Sequence, residues 1–421
     1  MRRRERPLSP RQHGRRCQRN KYDLASNRTA RANTLNNNLS EAYTYDGLNR
    51  LGAVARGGNA FQSWGLESLG NWATFVDQGN TQTRTHNAVN ETTGISDPRS
   101  WVTPPAFDTA GNMTSGPKPG DETTENKYIY DAWNRLVKVT DASDVIIATY
   151  RYDGAGRRIR KLLGSNPASP TAAYDFYYNE AWQVLEVRKD GSANSFEQFV
   201  WDVRYIDAPV VRFRDPDTDG QNIETLYYAN DANMNVTALV NTSGAVVERY
   251  SYDPYGQPSI FDASWTAVAW ADSKKNEILY CGYRWDPESG LYSVRHRTYH
   301  PTLGRWTTCD PIGYNAGMSL YAYAFSTPLN GVDPWGLIFY YLMDPSKADD
   351  PTKGDALKKA NGSQMTEEEY FKYMKEQYNA GIDALKKNLG KGNQRLVQRY
   401  SLTKDGKTTV CLAPVRGVVS D

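Results

Sequence analysis

Between residues 128 and 153 apolar and polar positions alternate with a period of two, in YIYDAWNRLVKVTDASDVIIATYRYD. Val, Ile, Thr and Tyr alternating with polar residues predict strands over 128–130, 136–140 and 145–152, each with one dry face. An Asp-led turn separates the first two strands, and 141–144 turns the chain again. The Asp side chain can cap turn amides, and a following Asn or Gly accepts left-handed dihedrals. The same unit opens at Tyr22-Asp23, Tyr45-Asp46, Phe107-Asp108, Tyr130-Asp131, Tyr152-Asp153 and Tyr252-Asp253, with a degenerate copy at 86–91. Asp-to-Asp separations of 23, 23 and 22 (Asp23–Asp46, Asp108–Asp131, Asp131–Asp153) mark a repeat array. One hairpin is marginal alone, so the units must share a continuous apolar face. The array is expected to start at Lys21, and the Gly-, Asn- and Asp-richer stretches 54–85 and 208–225 interrupt the period.

A second pattern fills 280–337, the block around which the chain is organised. It reads YCGYRWDPESGLYSVRHRTYHPTLGRWTTCDPIGYNAGMSLYAYAFSTPLNGVDPWGL. An aromatic or apolar residue is followed by Asp-Pro or His-Pro and then Gly, at Asp286-Pro287, His300-Pro301, Asp310-Pro311 and Asp333-Pro334. That is type I turn chemistry and predicts a run of tight hairpins.

In its order of WDPESGLY, HPTLGRW, DPIG, SLYAYAF and NGVDPWGL, this block resembles the core domain that closes RHS (rearrangement hot spot, or YD-repeat) proteins. The repeats resemble the YD repeats of the same family, from about Lys21 to Leu337. The resemblance implies a mainly β fold, a hairpin array forming a curved sheet or partial shell around a variable C-terminal segment. It implies self-cleavage after the Leu of the last DPxGL motif, here between Leu337 and Ile338, by aspartates in the last two DPxG motifs, Asp310 and Asp333. It also implies export to the cell surface or medium. Family shells are much longer chains, so a fragment or an open curved sheet is expected here. The resulting division is 1–20 leader, 21–279 repeat array, 280–337 core and 338–421 variable module.

Composition agrees with this reading. Among 421 residues there are 29 Tyr and 11 Trp, with 33 Gly and 21 Pro for turns. Net charge is +2 but uneven. Residues 1–31 hold eleven Lys/Arg against two acids, and 338–421 hold fourteen against eleven, leaving the middle near −10. An acidic shell with a basic tail fits a held cargo, and fits mere solubility as well. Cys17, Cys281, Cys309 and Cys411 show no metal or disulfide spacing. The basic start is followed by no apolar run, so it reads as a disordered leader or nucleic-acid arm, not a secretory signal.

Two carboxylates held close cannot both ionise, so one can activate water while its protonated partner polarises a carbonyl. Arg305 is a candidate to stabilise the oxyanion, with a sheet-edge charge as the other reading. The residue before the first aspartate is often Arg in the family and is Cys309 here, which puts cleavage in question. A Cys309 nucleophile with His296 or His300 as base has no other support. Asp215, Asp217 and Asp219 alternate as calcium ligands do, but Leu226 stands where an EF-hand needs Glu. That stretch reads as a solvated surface loop, and no metal or cofactor is assigned.

After Leu337 the pattern changes. Residues 344–364 are linker-like. A capping box at 366–369 opens an amphipathic helix through Phe371, Met374, Tyr378, Ile382, Leu385 and Leu389, ended by Gly390. Strands follow at 394–400 and 408–415 around Lys404-Asp405-Gly406-Lys407. This small α+β module has no histidine, which argues against His-based nucleases and zinc deaminases. Arg395, Arg399 and Tyr400 could contact RNA or simply face solvent. The expected partners are the chain's own C-terminal segment as cargo, an immunity protein or a cell-surface glycan, with nucleic acid only if the tail is an effector. A non-catalytic surface or carbohydrate-binding repeat protein, or a remnant of a longer gene, remains an alternative.

Overall fold

The computed structural model describes residues 18–101, 104–202, 205–341, 397–404 and 407–414. The leader, the linker and the amphipathic helix lie outside the described residues. Two antiparallel sheets carry the array: eight strands from Gln18–Tyr22 to Thr92–Ser96, and fourteen from Ala106–Phe107 to Pro258–Asp262. In both, every strand pairs with its sequence neighbours, and neither sheet closes on itself. No helix among the described residues is long and apolar enough to cross a membrane. Separately, Val397–Lys404 pairs with Lys407–Pro414, in register down to Lys404 opposite Lys407.

The first strand among the described residues is Gln18–Tyr22. The stretch 54–85 does not interrupt the array. Strands Leu51–Arg56, Asn59–Leu66, Trp72–Asp77 and Asn80–His86 run through without a break, because Gly57, Gly58, Gly70 and Gly79 occupy the turns. In the sample repeat the strands are Asp121–Tyr130, Leu136–Asp141 and Ile146–Tyr152.

The repeat turns share one construction. Asp131 Oδ1 accepts the N–H groups of Trp133 and Arg135 at 2.9 and 3.1 Å, and Oδ2 accepts Arg135 Nε at 2.7 Å. Asp46, Asp108, Asp153, Asp231 and Asp253 hold the amides two and four residues on in the same way. The residue three positions on is left-handed, as at Asn134 (φ 58°), which explains the recurring Asn or Gly. Three of the tyrosines before these Asp residues reach back one repeat: Tyr45 donates its hydroxyl to Arg28 O at 2.8 Å, and Tyr152 to Leu136 O and Tyr252 to Val236 O, each at 2.7 Å. Arg135 lies 4.9 Å over the Tyr152 ring, so the Asp131 turn braces the next.

The 280–337 block supplies the centre of the core. Strands Arg284–Asp286, Leu291–Val294, Arg297–His300 and Arg305–Trp306 form a meander. Tyr280, Tyr292, Tyr299, Trp306 and Tyr323 are buried in one cluster with Trp64 and Trp72 of the first sheet and Phe199 and Tyr252 of the second. Buried ion pairs fix the alignment. Arg158 grips Asp286 with both terminal nitrogens at 2.6 and 2.9 Å, and Lys161 meets Glu277 at 2.9 Å. Within the meander the expected hairpins hold at Asp286-Pro287 and His300-Pro301, with a further turn at Arg295-His296 that no motif announced. The Asp310 and Asp333 turns close on Gly313 and Gly336, and the Asp310 turn joins no paired strands. The chain between Trp306 and Gly331 is irregular and shaped by aromatic packing, and the Asp333 turn lies in the connection between the short paired strands Gly331–Val332 and Tyr340–Tyr341.

Asp131→Ala removes two amide contacts and an ion pair. It should cost about 1–2 kcal/mol in urea unfolding, with Asp131→Asn, which keeps one acceptor oxygen, costing clearly less. Equal losses would mean the turn does not depend on the acceptor.

Candidate functional site

Asp310 and Asp333 come together on one side chain. Arg297 Nη2 lies 2.8 Å from Asp310 Oδ2 and 3.2 Å from Asp333 Oδ2. All three residues are buried. Arg297 points inward because it alternates with Thr298 on its strand and shares the face of Tyr299. Its guanidinium stacks 4.2 Å from Trp306, and Nε donates to Gly336 O.

Each carboxylate is fixed by its own turn. The Asp310 N–H donates to Leu320 O at 3.0 Å, and Oδ1 accepts the Ile312 N–H at 3.0 Å. Ile312 at φ −88°, ψ 2° holds the third position of a type I turn. The Asp333 N–H donates to the Tyr283 hydroxyl at 2.9 Å. Asp333 Oδ1 accepts the N–H of Leu337 at 2.9 Å and of Ile338 at 3.1 Å. The aspartate therefore contacts the nitrogen of the Leu337–Ile338 bond itself. Gly336 makes this curl possible: its φ is +65°, and a Cβ there would meet Val294 O at 2.8 Å. Downstream, Phe339 packs edge-on against Phe325 at 5.6 Å, so the chain is held on both sides of the bond. A cavity of about 400 Å³ adjoins the carboxylates, lined also by Leu48, Leu69, Met318, Phe325, Leu337 and Phe339, with room for water.

Burial pushes the Asp310 carboxyl up to about 6 against the pull of Arg297, with Asp333 adding to the rise. Burial raises Asp333 too, opposed by Arg297 and by the amides of Leu337, Ile338 and Gly336. Burial also lowers the Arg297 pKa, opposed by both carboxylates.

Arg305 is directed elsewhere. Its guanidinium donates to Thr92 Oγ1, and to Asn90 O at 2.7 Å, binding the core to the first sheet. Its geometry supports a structural role, not oxyanion stabilisation; the arginine at the carboxylates is Arg297. Sequence reasoning passed over Arg297 because it belongs to no turn motif. The available signal was a cation at an inward position of an otherwise aromatic strand. Neither histidine reaches Cys309. His300 is buried on Pro117 O at 2.8 Å with its pKa lowered by burial to about 3, and His296 stacks on Trp335. Cys309 Sγ meets the Tyr321 hydroxyl at 3.1 Å.

The sequence profile of the teneurin YD-shell matches residues 19–328. The chain belongs to the YD-shell family. The match includes Asp310 and stops just short of Asp333. This YD-shell chain is 29% identical over 304 residues to the tRNA3(Ser)-specific nuclease WapA of Bacillus spizizenii, covering 70% of this chain and 11% of that protein. It is 27% identical over 258 residues to toxin protein Tse5 of Pseudomonas aeruginosa, covering 55% and 18%. It therefore spans less than a fifth of the length of these relatives. Among solved structures, the crystal structure of TcdB2-TccC3 is similar with TM-score 0.40 and 17% identity, over 76% of this chain and 20% of that one. The resemblance to RHS/YD-repeat proteins read from the turn motifs thus stands, and the YD-shell supplies the open β array on which the carboxylate pair is mounted.

Arg297→Met should leave two buried carboxylates without their cation and cost about 3–5 kcal/mol at pH 8. Both folded-state pKa values then sit further above the unfolded value, so the folded form binds more protons and stability returns as pH falls toward 5. Denaturant unfolding at the two pH values checks this; a variant as stable as wild type at pH 8 would show that the guanidinium does not bridge the pair.

Proposed function

We propose that this chain is the closing part of an RHS-type toxin shell that presents residues 338–421 as cargo and frees them by one hydrolysis between Leu337 and Ile338. The observation that carries the reading is the contact of Asp333 with the amides on both sides of that bond, while Arg297 holds Asp310 beside it. The toxin names of the relatives support the cargo half of the reading.

In this scheme Asp333, facing three N–H donors, is the ionised member, and Asp310 carries the proton. Asp333 takes a proton from water in the adjoining cavity while the oxygen attacks the Leu337 carbonyl carbon. Asp310 donates to the developing oxyanion. The C–N bond breaks as the proton on Asp333 passes to the Ile338 nitrogen and one hydroxyl of the diol returns its proton to Asp310; the products are a Leu337 carboxylic acid, which ionises to water, and an Ile338 amine. The bond is delivered by its own turn, so a single turnover needs no substrate binding. Arg297 positions the two acids. On this reading the chain acts outside the producing cell, and an immunity protein against 338–421 is the expected partner. A non-catalytic adhesive array would have no use for two carboxylates on one buried cation, and their proximity favours cleavage over that alternative.

The test is the intact mass of the purified chain beside Asp310→Asn and Asp333→Asn. Wild type should give two fragments, one ending at Leu337 and one starting at Ile338, with both variants whole. A single full-length mass in wild type would overturn the reading.

A further inference from the structure

The connection between strands Pro209–Arg214 and Glu224–Asn230 departs from the Asp-led turns elsewhere in the second sheet. It spans the nine residues 215–223 and reads DPDTDGQNI. One carboxylate oxygen from each of Asp215, Asp217 and Asp219 lies within 4.8 Å of the others. Clustered acids on a loop are common and mean little while all are solvated. Here Asp215 is only 3% exposed. Its Oδ2 accepts the Gly220 N–H at 2.8 Å, but Oδ1 is buried without a hydrogen-bond partner.

Elsewhere in the array most buried carboxylates are met by a cation, and Glu248 is met at both oxygens by the Tyr250 hydroxyl and the Lys274 N–H. Arg158 and Lys161 answer Asp286, and Arg212 lies between Glu197 and Glu224. Arg214, the neighbour of Asp215, is committed to Glu197 at 3.2 Å. Among the described residues no Lys, Arg or His pairs with Asp215. A buried carboxylate with an orphan oxygen, facing two more carboxylates, is costly unless a cation enters.

We infer that Asp215, Asp217 and Asp219 bind a hard divalent cation, and that its chemistry is that of Ca²⁺. The donors are oxygens only, which suits Ca²⁺ or Mg²⁺ over zinc or copper. Two oxygens about one Ca²⁺, each at ~2.3–2.6 Å, can stand up to about 5 Å apart, whereas Mg²⁺ demands a tighter, regular octahedron. Gly220, at φ +82°, turns the chain back so that its amide caps the buried member of the trio. The twelfth-position Glu of an EF-hand is absent, so water completes the shell and affinity falls in the range of extracellular modules, Kd about 10⁻⁴–10⁻³ M. The bound ion pins the longest turn of the second sheet. This inference is independent of the cleavage site.

The test is calcium titration of the full-length chain, stripped of metal, followed by calorimetry and thermal unfolding. Asp217→Asn and Asp219→Asn serve as comparisons, since both positions are exposed and their loss should not impair folding. Wild type should bind one Ca²⁺ per chain with submillimolar to millimolar Kd and gain about 2–4 °C in Tm near saturation, while either variant loses at least tenfold in affinity and most of the gain. No binding up to about 10 mM Ca²⁺, well above that range, or an equal response in wild type and variants, would overturn the inference.

Discussion

One buried guanidinium holds the end of this molecule together. Arg297 touches both carboxylates, Gly336 O and the Trp306 ring, and no other described side chain meets both aspartates. Without it, two acids from turns 23 residues apart would repel each other in a low-dielectric interior. With it, both are tolerated under burial, but only in a compromised state: Asp310 retains a pKa near 6. In the proposed cleavage that compromise is the chemically useful feature, because a dyad needs one proton to share.

That geometry is bought by the aromatic core. Tyr299 and Trp306 flank Arg297 along the small meander, and Tyr323 lies 4.3 Å from Tyr299. The core is clamped to the second sheet by Arg158–Asp286 and to the first by Arg305. The sheets in turn depend on a local device, an Asp side chain holding two amides, joined at Tyr45, Tyr152 and Tyr252 by a hydroxyl that reaches back across the repeat. Local turn chemistry thus sets the strand register, the register positions the core strands, and those strands set the carboxylates.

The array was legible in the sequence because its signals are local. Period-two alternation, Asp at the turn head and a left-handed residue three positions on lie within a few residues of each other, and the strands at 136–141 and 146–152 fell where those signals put them, while the strand ending at Tyr130 starts earlier, at Asp121, and 54–85 continues the array. That Asp310 and Asp333 belong together near Leu337 was an expectation of the family resemblance in motif order, and the fold brings the three into one place. Arg297 was not legible, because its partners are 13 and 36 residues away and only the folded core brings them together. Arg305 was misread for the same reason: its partners Thr92 and Asn90 lie more than 200 residues earlier. The irregular path from 307 to 330 also escaped, since aromatic packing and not turn chemistry shapes it. At Asp215 the missing Glu spoke against a metal, and the burial that speaks for one is invisible in a linear pattern.

The central claim is that the carboxylate pair works with Asp310 as its protonated member. Its most direct test is the rate at which fragments appear on refolding, followed by mass across pH 4.5 to 8.5. Because Asp310 loses its proton near pH 6, the rate should fall about tenfold per unit above that value, with a decline at the acid end only where Asp333, the base, takes up its own proton. A rate that is flat across the range, or that rises with pH as a thiolate or hydroxide attack would, contradicts the account.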